Sequence, residues 1–225
     1  MSSTADNPAN KKQLLWGKIN RNGLILALFA FLSTGLIAIT HQLTKQKIAL
    51  AVEHNMISQL SQIVPQGLYD NEVYQDCIKI RSLSLLGSNR FQKAYRLRKH
   101  RKDVALLLTA VAPDGYSGPI EFSMAISKTG QIMGLNIISH RETPGLGDKI
   151  ERRKGNWLDQ FNGLAIKNKK QNWGVKKDGG QFDALTGATI TPRAMVKAAY
   201  NALLFYQQHQ QQLFTQASNC YQKDE

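Results

Sequence analysis

The sequence predicts an α+β fold carried behind one membrane-crossing helix. Three observations predict it: an uncharged apolar run near the N-terminus, a pair of strand-like segments joined by a short turn, and a strongly patterned helix near the C-terminus. The 225 residues leave room for one compact domain beside the membrane segment. A domain of about 150 residues buries enough apolar surface to fold without disulfides. Cys77 and Cys220 fit no CxxC or zinc spacing, and two cysteines so far apart are expected to stay unpaired.

Leu24–Thr40 reads LILALFAFLSTGLIAIT with no charged residue. With Asn22 and Gly23, giving a span of 22–40, it approaches the roughly 20 residues that cross about 30 Å of hydrocarbon. In lipid such a run satisfies its backbone only as a helix. A soluble core helix is a poor rival, because the run is apolar on every side. A cleaved signal peptide is the better rival, with Ala49-Leu50-Ala51 as its A-x-A pattern. That pattern is separated from the apolar run by the polar HQLTKQK, so an uncleaved anchor is favoured. Lys11, Lys12, Lys18 and Arg21 precede the run, whereas Lys45 and Lys47 follow it. The larger basic excess keeps residues 1–21 in the cytoplasm and sends the C-terminal domain across the inner membrane, into the periplasm of a Gram-negative cell.

Ile48, Val52, Met56, Leu60 and Val64 recur every fourth residue, as in an amphipathic helix that ends at Pro65. Residues 66–102 are basic and show no clear period, so 41–99 is read as a juxtamembrane helix and connecting region. Val104–Val111 is an apolar run of strand length, and Pro113-Asp114-Gly115 marks a turn. Ile120, Phe122, Met124 and Ile126 alternate with smaller or polar residues, the period of a half-buried strand. After the turn Ser127–Gly130, Gln131–His140 returns as its antiparallel partner. The loop Arg141–Gly147 follows, with Pro144-Gly145 suited to a tight turn. A helix is expected around Asp148–Phe161, then a polar, lysine-rich stretch over 167–180.

Thr191 is placed as an N-cap and Pro192 as the first helical residue, with Met195, Ala199, Ala202 and Tyr206 on one face. The glutamine-rich tail, 208–225, carries no readable chemistry. Trp157 and Trp173 are read as core aromatics.

The net charge of +13 comes from 29 basic and 16 acidic residues. Its densest cluster is Arg90, Lys93, Arg96, Arg98, Lys99, Arg101 and Lys102. No nucleic-acid-binding element accompanies it, so the cluster is read as a solvated face near lipid headgroups or a neighbouring protein, and no nucleic acid is expected. His140-x-Glu142 lacks the further ligands of a closed metal site, and Gly145-x-Gly147 is no dinucleotide fingerprint. No nucleophile–base set is evident, so no stand-alone catalytic site is expected.

Chemistry concentrates in Asp183-Ala-Leu-Thr-Gly-Ala-Thr-Ile-Thr191, just ahead of the last helix. A helix N-terminus offers free N–H groups and the positive end of a dipole, which together suit a phosphate. Gly187 and Ala188 allow close backbone approach, and three threonines supply hydroxyls. Spacing alone favours the commoner meaning, a threonine capping turn.

DALTGATIT resembles the flavinylation motif D-x-x-[ST]-G-A-T-x-[ST] of the FMN-binding domains of Rnf/Rsx and sodium-pumping quinone reductase complexes. The run ETPGLG, residues 142–147, is similar to the second signature of that domain, and Gly115-Tyr116-Ser117-Gly118 to its opening. The resemblance covers about 100–207, taken as the FMN-binding domain. With the anchor and the chain length it points to the G-type branch of the Rnf/Rsx family. It implies covalent FMN on Thr189 through a phosphoester, with Thr186, Gly187 and Ala188 framing the phosphate and Asp183 needed for the modification. It further implies His140, Glu142, Thr143, Leu146, Gly147 and Lys149 as flavin contacts. The implied role is an electron-transfer subunit of a complex that couples redox chemistry to ion translocation. The implied partners are the other members of that complex, membrane lipid, and a flavin transferase that uses FAD and magnesium. The alternative function is an anchored, non-redox module binding an anion or a lipid surface.

Overall fold

A computed structural model describes residues 8–65, 67–166 and 172–220, with side chains of the first helix described over 22–44 and at 58 and 60–63. The chain divides into two compact units, Met1–His54 and Asn55–Glu225.

Helix α1 runs Pro8–Ile63. Within it, Asn22–Thr44 is long and apolar enough to cross a membrane, with mean hydropathy 2.2 and none of its most apolar window buried. The span outlasts Thr40 by four residues, because His41, Gln42, Leu43 and Thr44 include no Asp, Glu, Lys or Arg.

The second unit is built on five antiparallel strands in the order β1-β2-β3-β4-β5. They are β1 (Cys77–Ser82), β2 (Ser88–Lys99), β3 (Lys102–Ala112), β4 (Ile120–Ser127) and β5 (Ile132–Ser139), with a one-turn helix α2 (Leu83–Leu86) between the first two. Each strand pairs with the next in sequence, so short turns suffice throughout. The expected β4–β5 hairpin is present, with Met124 opposite Leu135. Residues 77–99 correct the reading of 41–99 as helix and connector, since they supply two of the five strands.

Both faces of the sheet are covered, which is why the strands lack a clean alternation. One face, including Ile78, Leu106, Leu108, Phe122 and Met124, packs with helix α3 (Ile190–Thr215) and with Trp157, Phe161 and Phe182. The other, including Tyr95, Leu97, Leu107 and Ala125, packs with Leu60, Ile63 and Val64 at the end of α1. Thus Ser123 and Ala125 are buried, although alternation predicts an exposed face there. Gly134 of β5 makes room for this second layer: a Cβ there would lie 2.9 Å from Ile63 Cβ.

The helix expected over Asp148–Phe161 is instead three 3₁₀ turns, Gly147–Ile150, Arg152–Lys154 and Trp157–Phe161. The charged run Glu151–Lys154 has no apolar stripe to bury, and Gly155 is fully extended. The lysine-rich stretch falls partly outside the described residues. Its remainder forms a tight loop in which Val175 bridges Phe182.

Helix α3 starts at Ile190, ahead of the expected Thr191 cap, and continues to Thr215. Pro192 lies in the first turn, where a missing N–H costs no intrahelical bond. Met195, Ala199, Ala202 and Tyr206 are all buried, as their spacing predicts.

Two further expectations are overturned beside β1. Cys77 and Cys220 form a disulfide, their Cα atoms 5.7 Å apart. Arg96, read as part of a solvated face, is only 3% exposed. Its guanidinium donates to the carbonyls of Phe214 and Gln216 at 3.1 and 2.6 Å and lies 2.9 Å from Asp76 Oδ1. The tail is therefore fastened to the sheet. Asn219 completes the fastening, donating its N–H to the Cys77 carbonyl and accepting from the Lys79 N–H.

Candidate functional site

The segment before α3 folds as its composition requires. Ala188 N–H donates to the Leu185 carbonyl at 3.1 Å, closing a turn with Gly187 third at φ +80°. That is a type II turn, in which the third position demands a positive φ. Gly187 also meets a steric limit, because a Cβ there would sit 2.8 Å from Leu146 Cδ2. The turn delivers Thr189 to the N-cap of α3, half-buried, with φ −110° and ψ −29°. Its side chain makes no capping hydrogen bond. The capping reading thus fails at Thr189, and it fails at Thr191 too, whose hydroxyl donates to Glu142 Oε2.

The loop after β5 forms the facing wall. Leu146 N–H donates to the Thr143 carbonyl at 3.2 Å across Pro144-Gly145, and Gly145 has φ +78°. Glu142 is 4% exposed, and its Oε1 accepts from the Ser117 N–H at 3.1 Å. Its own N–H donates to His140 Nδ1 at 2.9 Å. A backbone N–H can only donate, so the His140 ring proton resides on Nε2, which faces Glu151 Oε1 at 3.0 Å. Lys154 binds both Asp148 and Glu151, at 2.6 and 3.0 Å. Hydrogen bonds from Arg153, then Lys154 and His140, hold the Glu151 carboxyl down at about 2 against the opposing effect of burial. The bond from Lys154 likewise lowers Asp148.

Between the walls lies a cleft of about 280 Å³, lined by Tyr116, Glu142, Thr143, Leu146, Gly147, Gly187, Ala188, Thr189, Ile190 and Thr191. Of the residues singled out in the sequence, Glu142, Thr143, Leu146, Gly147, Gly187, Ala188 and Thr189 meet here. His140, Lys149, Asp183 and Thr186 do not line it. His140 buttresses Glu142 from behind. Lys149 and Asp183 border a neighbouring hollow with Lys154 and Trp157. Asp183 is exposed and pairs with Lys176 at 2.5 Å, while Trp157 Nε1 donates to its carbonyl at 2.7 Å. Sequence reasoning missed Tyr116, Ile190 and Thr191 as lining residues, although the Gly115–Gly118 segment and the last motif position held the signal.

Among the described residues no Lys or Arg lines the cleft. An anion here would be held by the first-turn N–H groups and the dipole of the 26-residue α3. Tyr116, Leu146 and Ile190, exposed by 65, 41 and 44%, give the rim an apolar character suited to a planar aromatic group.

The class is that of FMN-binding-domain proteins: residues 115–204, which include every residue lining the cleft, match the FMN-binding domain family. Residues 14–63 match the RnfG N-terminal region. The chain is 45% identical to the G subunit of the ion-translocating oxidoreductase complex of Shewanella piezotolerans, over 89% of this chain and 95% of the relative. It is 44% identical to the same protein of Pseudoalteromonas atlantica, over 90% and 94%. Against that of Aliivibrio fischeri the identity is 43%, over 90% and 97%. The chain belongs to this family, the G subunits of ion-translocating oxidoreductase complexes.

Proposed function

We propose that this chain is an electron-transfer subunit of a membrane-bound ion-translocating oxidoreductase complex, with FMN attached through a phosphoester to Thr189. The observation that carries the attachment is the Thr189 hydroxyl, which lines the cleft at the start of α3 without serving as a cap. The residues fit the group: Gly187 and Ala188 keep side-chain bulk away from the phosphate, α3 opposes its charge, and Leu146 and Tyr116 border the space beyond. When bound, FMN supplies a ring that takes up two electrons and releases them singly. The chain's part is to hold that ring outside the cytoplasm and prevent its loss.

Attachment requires a flavin transferase with FAD as donor and magnesium as helper. Thr189 Oγ1 would supply the acceptor oxygen for the phosphoester to FMN, the FAD phosphoanhydride bond being exchanged for it with release of AMP and the hydroxyl proton. Asp183 lies outside the cleft and exposed, where such an enzyme can read it. The remaining partners are the other members of the complex and the lipid around residues 22–40. The basic residues before the apolar span support a cytoplasmic N-terminus and a periplasmic domain, and the Cys77–Cys220 disulfide suits that oxidising compartment.

Co-expressed with an active transferase, the wild-type chain should give a fluorescent flavin band on a denaturing gel, and Thr189→Ala should give none. A dark wild-type band, or an equally bright alanine variant, would overturn the assignment. Thiols trapped in intact cells should be blocked as a disulfide; free thiols would overturn the orientation.

A further inference from the structure

Three separate segments of the sequence end on one carboxylate. Glu142 opens the ETPGLG run, and Thr191 closes DALTGATIT, 49 residues later, yet the Thr191 hydroxyl donates to Glu142 Oε2. Glu142 Oε1 accepts from Ser117 N–H, within the Gly115–Gly118 segment, at 3.1 Å. Two glycines keep the meeting point open. A Cβ on Gly147 would lie 2.7 Å from Thr191 Oγ1 and 2.8 Å from Glu142 Oε2. A Cβ on Gly115 would lie 2.2 Å from the Gly118 carbonyl oxygen and 3.0 Å from Glu142 Oε1.

Both Glu142 oxygens are thus engaged by the protein. We infer that Glu142 is a positioning residue: it pins the 115–118 turn, the 142–147 loop and the first turn of α3 together, and so holds Thr189 at the angle at which its hydroxyl is esterified. Thr191 is the donor of that pin, which gives the last position of the flavinylation motif a structural reason to carry a hydroxyl. This inference rests on the reading of Thr189 as the attachment residue.

The geometry separates positioning from general stability. Thr189 lies two residues before Thr191 on the first turn of α3, so losing the Glu142 bond frees the turn that carries the nucleophile. Misplacement of a reacting group by about 1 Å costs on the order of a hundredfold in rate. Global destabilisation acts differently, reducing the concentration of folded acceptor without changing the rate from the docked complex.

The test is flavin transfer to the full-length chain in detergent, with purified transferase, FAD and magnesium, varying the acceptor concentration. Glu142→Ala and Thr191→Val should each lower kcat about tenfold or more, with KM for the acceptor little changed. Glu142→Gln should stay within about threefold of wild type, because its amide oxygen can accept from Ser117 N–H while its NH₂ donates to Thr191 Oγ1. If Glu142→Ala does not fold, Thr191→Val and Glu142→Gln decide the matter. Wild-type kcat in Thr191→Val overturns the inference, and so does a Gln variant slowed tenfold, which would show that the charge matters and not the pin. A rise in KM with kcat intact would reduce Glu142 to a stabilising residue and also overturn it. A wild-type chain that takes no flavin at Thr189 removes the reading beneath it instead.

Discussion

Among the described residues of the second unit three charged side chains are buried, Arg96 and Asp148 at 3% exposure and Glu142 at 4%, and Arg96 and Glu142 are satisfied in opposite ways. Arg96 faces an opposite charge, Asp76, and two carbonyls of the C-terminal tail, with Ser218 Oγ accepting at 3.1 Å. Burial pulls its pKa down, and Asp76 pulls it back. Glu142 has only neutral donors, one backbone N–H and one hydroxyl, and no cation pairs with it among the described residues. A buried charge without a counter-charge is costly, whereas a paired one acts as a fastening. One end of the domain is therefore built to hold the chain together, and the other gives up stability for placement. Sites that depart from the ordinary packing rules are where function is expected.

That distinction fails if the two ends respond alike. Arg96→Met takes one of two cations from Asp76, which keeps Arg98 at 3.2 Å, and removes the donor to the Gln216 carbonyl; it should destabilise the chain by about 3 kcal/mol, read from denaturant unfolding in detergent. The kcat for flavin transfer to its folded fraction should match wild type. A tenfold fall in that kcat would erase the difference between the ends. Cys77→Ser removes a crosslink across 143 residues and should lower stability by about 2–5 kcal/mol. Because both substitutions release the same tail, the double variant should lose less than the sum of the two losses. Full additivity would mean that Arg96 and the disulfide hold different parts.

Features that a single local rule determines are legible in the sequence. Leu24–Thr40 is legible because lipid permits only an uncharged helix, and β4–β5 because alternation and the Ser127–Gly130 turn agree. Strands β1 and β2 are concealed, because Arg96 occupies a core position and Arg90, Lys93 and Arg98 interrupt any apolar period. The β2–β3 turn is equally hidden, since His100 and Arg101 take positive φ of 50° and 62° where glycine or asparagine would have announced the turn. The pairing of Cys77 with Cys220 depends on where α3 ends, and α3 continues nine residues past Tyr206, through the polar run 207–212, before burying Leu213 and Phe214. At the cleft, the resemblance to the flavinylation motif marks the loop before α3, since spacing alone favours a threonine capping turn. The role of Thr191 is not legible, because a cap and a side-chain donor look identical in sequence. Lys149 and Asp183 fall outside the cleft because the 3₁₀ turn at 147–150 and the Trp157 contact direct them to the neighbouring hollow.

The smallest expected effect concerns acid, and it should reach the cleft before the tail. Glu151 supports the cleft from behind through His140, whose Nδ1 receives the Glu142 N–H. Its carboxyl is held at about 2, below its ordinary 4.5, first by Arg153 and then by Lys154 and His140. A carboxyl with a depressed folded pKa stabilises the fold at every pH above its unfolded value. As pH falls from about 4.5 towards 2 the unfolded chain takes up the proton first, and that contribution is lost. Stability should therefore fall through this window, and Glu151→Gln should flatten part of the fall. Asp148 shares Lys154 and is lowered as well, so a residual slope should remain in the variant. Protection of the Glu142 amide against hydrogen exchange, taken relative to the intrinsic rate at each pH, should fall in the same window, ahead of that of Asn219, whose bond to Cys77 involves no carboxyl. Identical acid profiles for wild type and Glu151→Gln would show that the His140 buttress contributes nothing to the cleft, leaving Glu142 held only by Ser117 and Thr191.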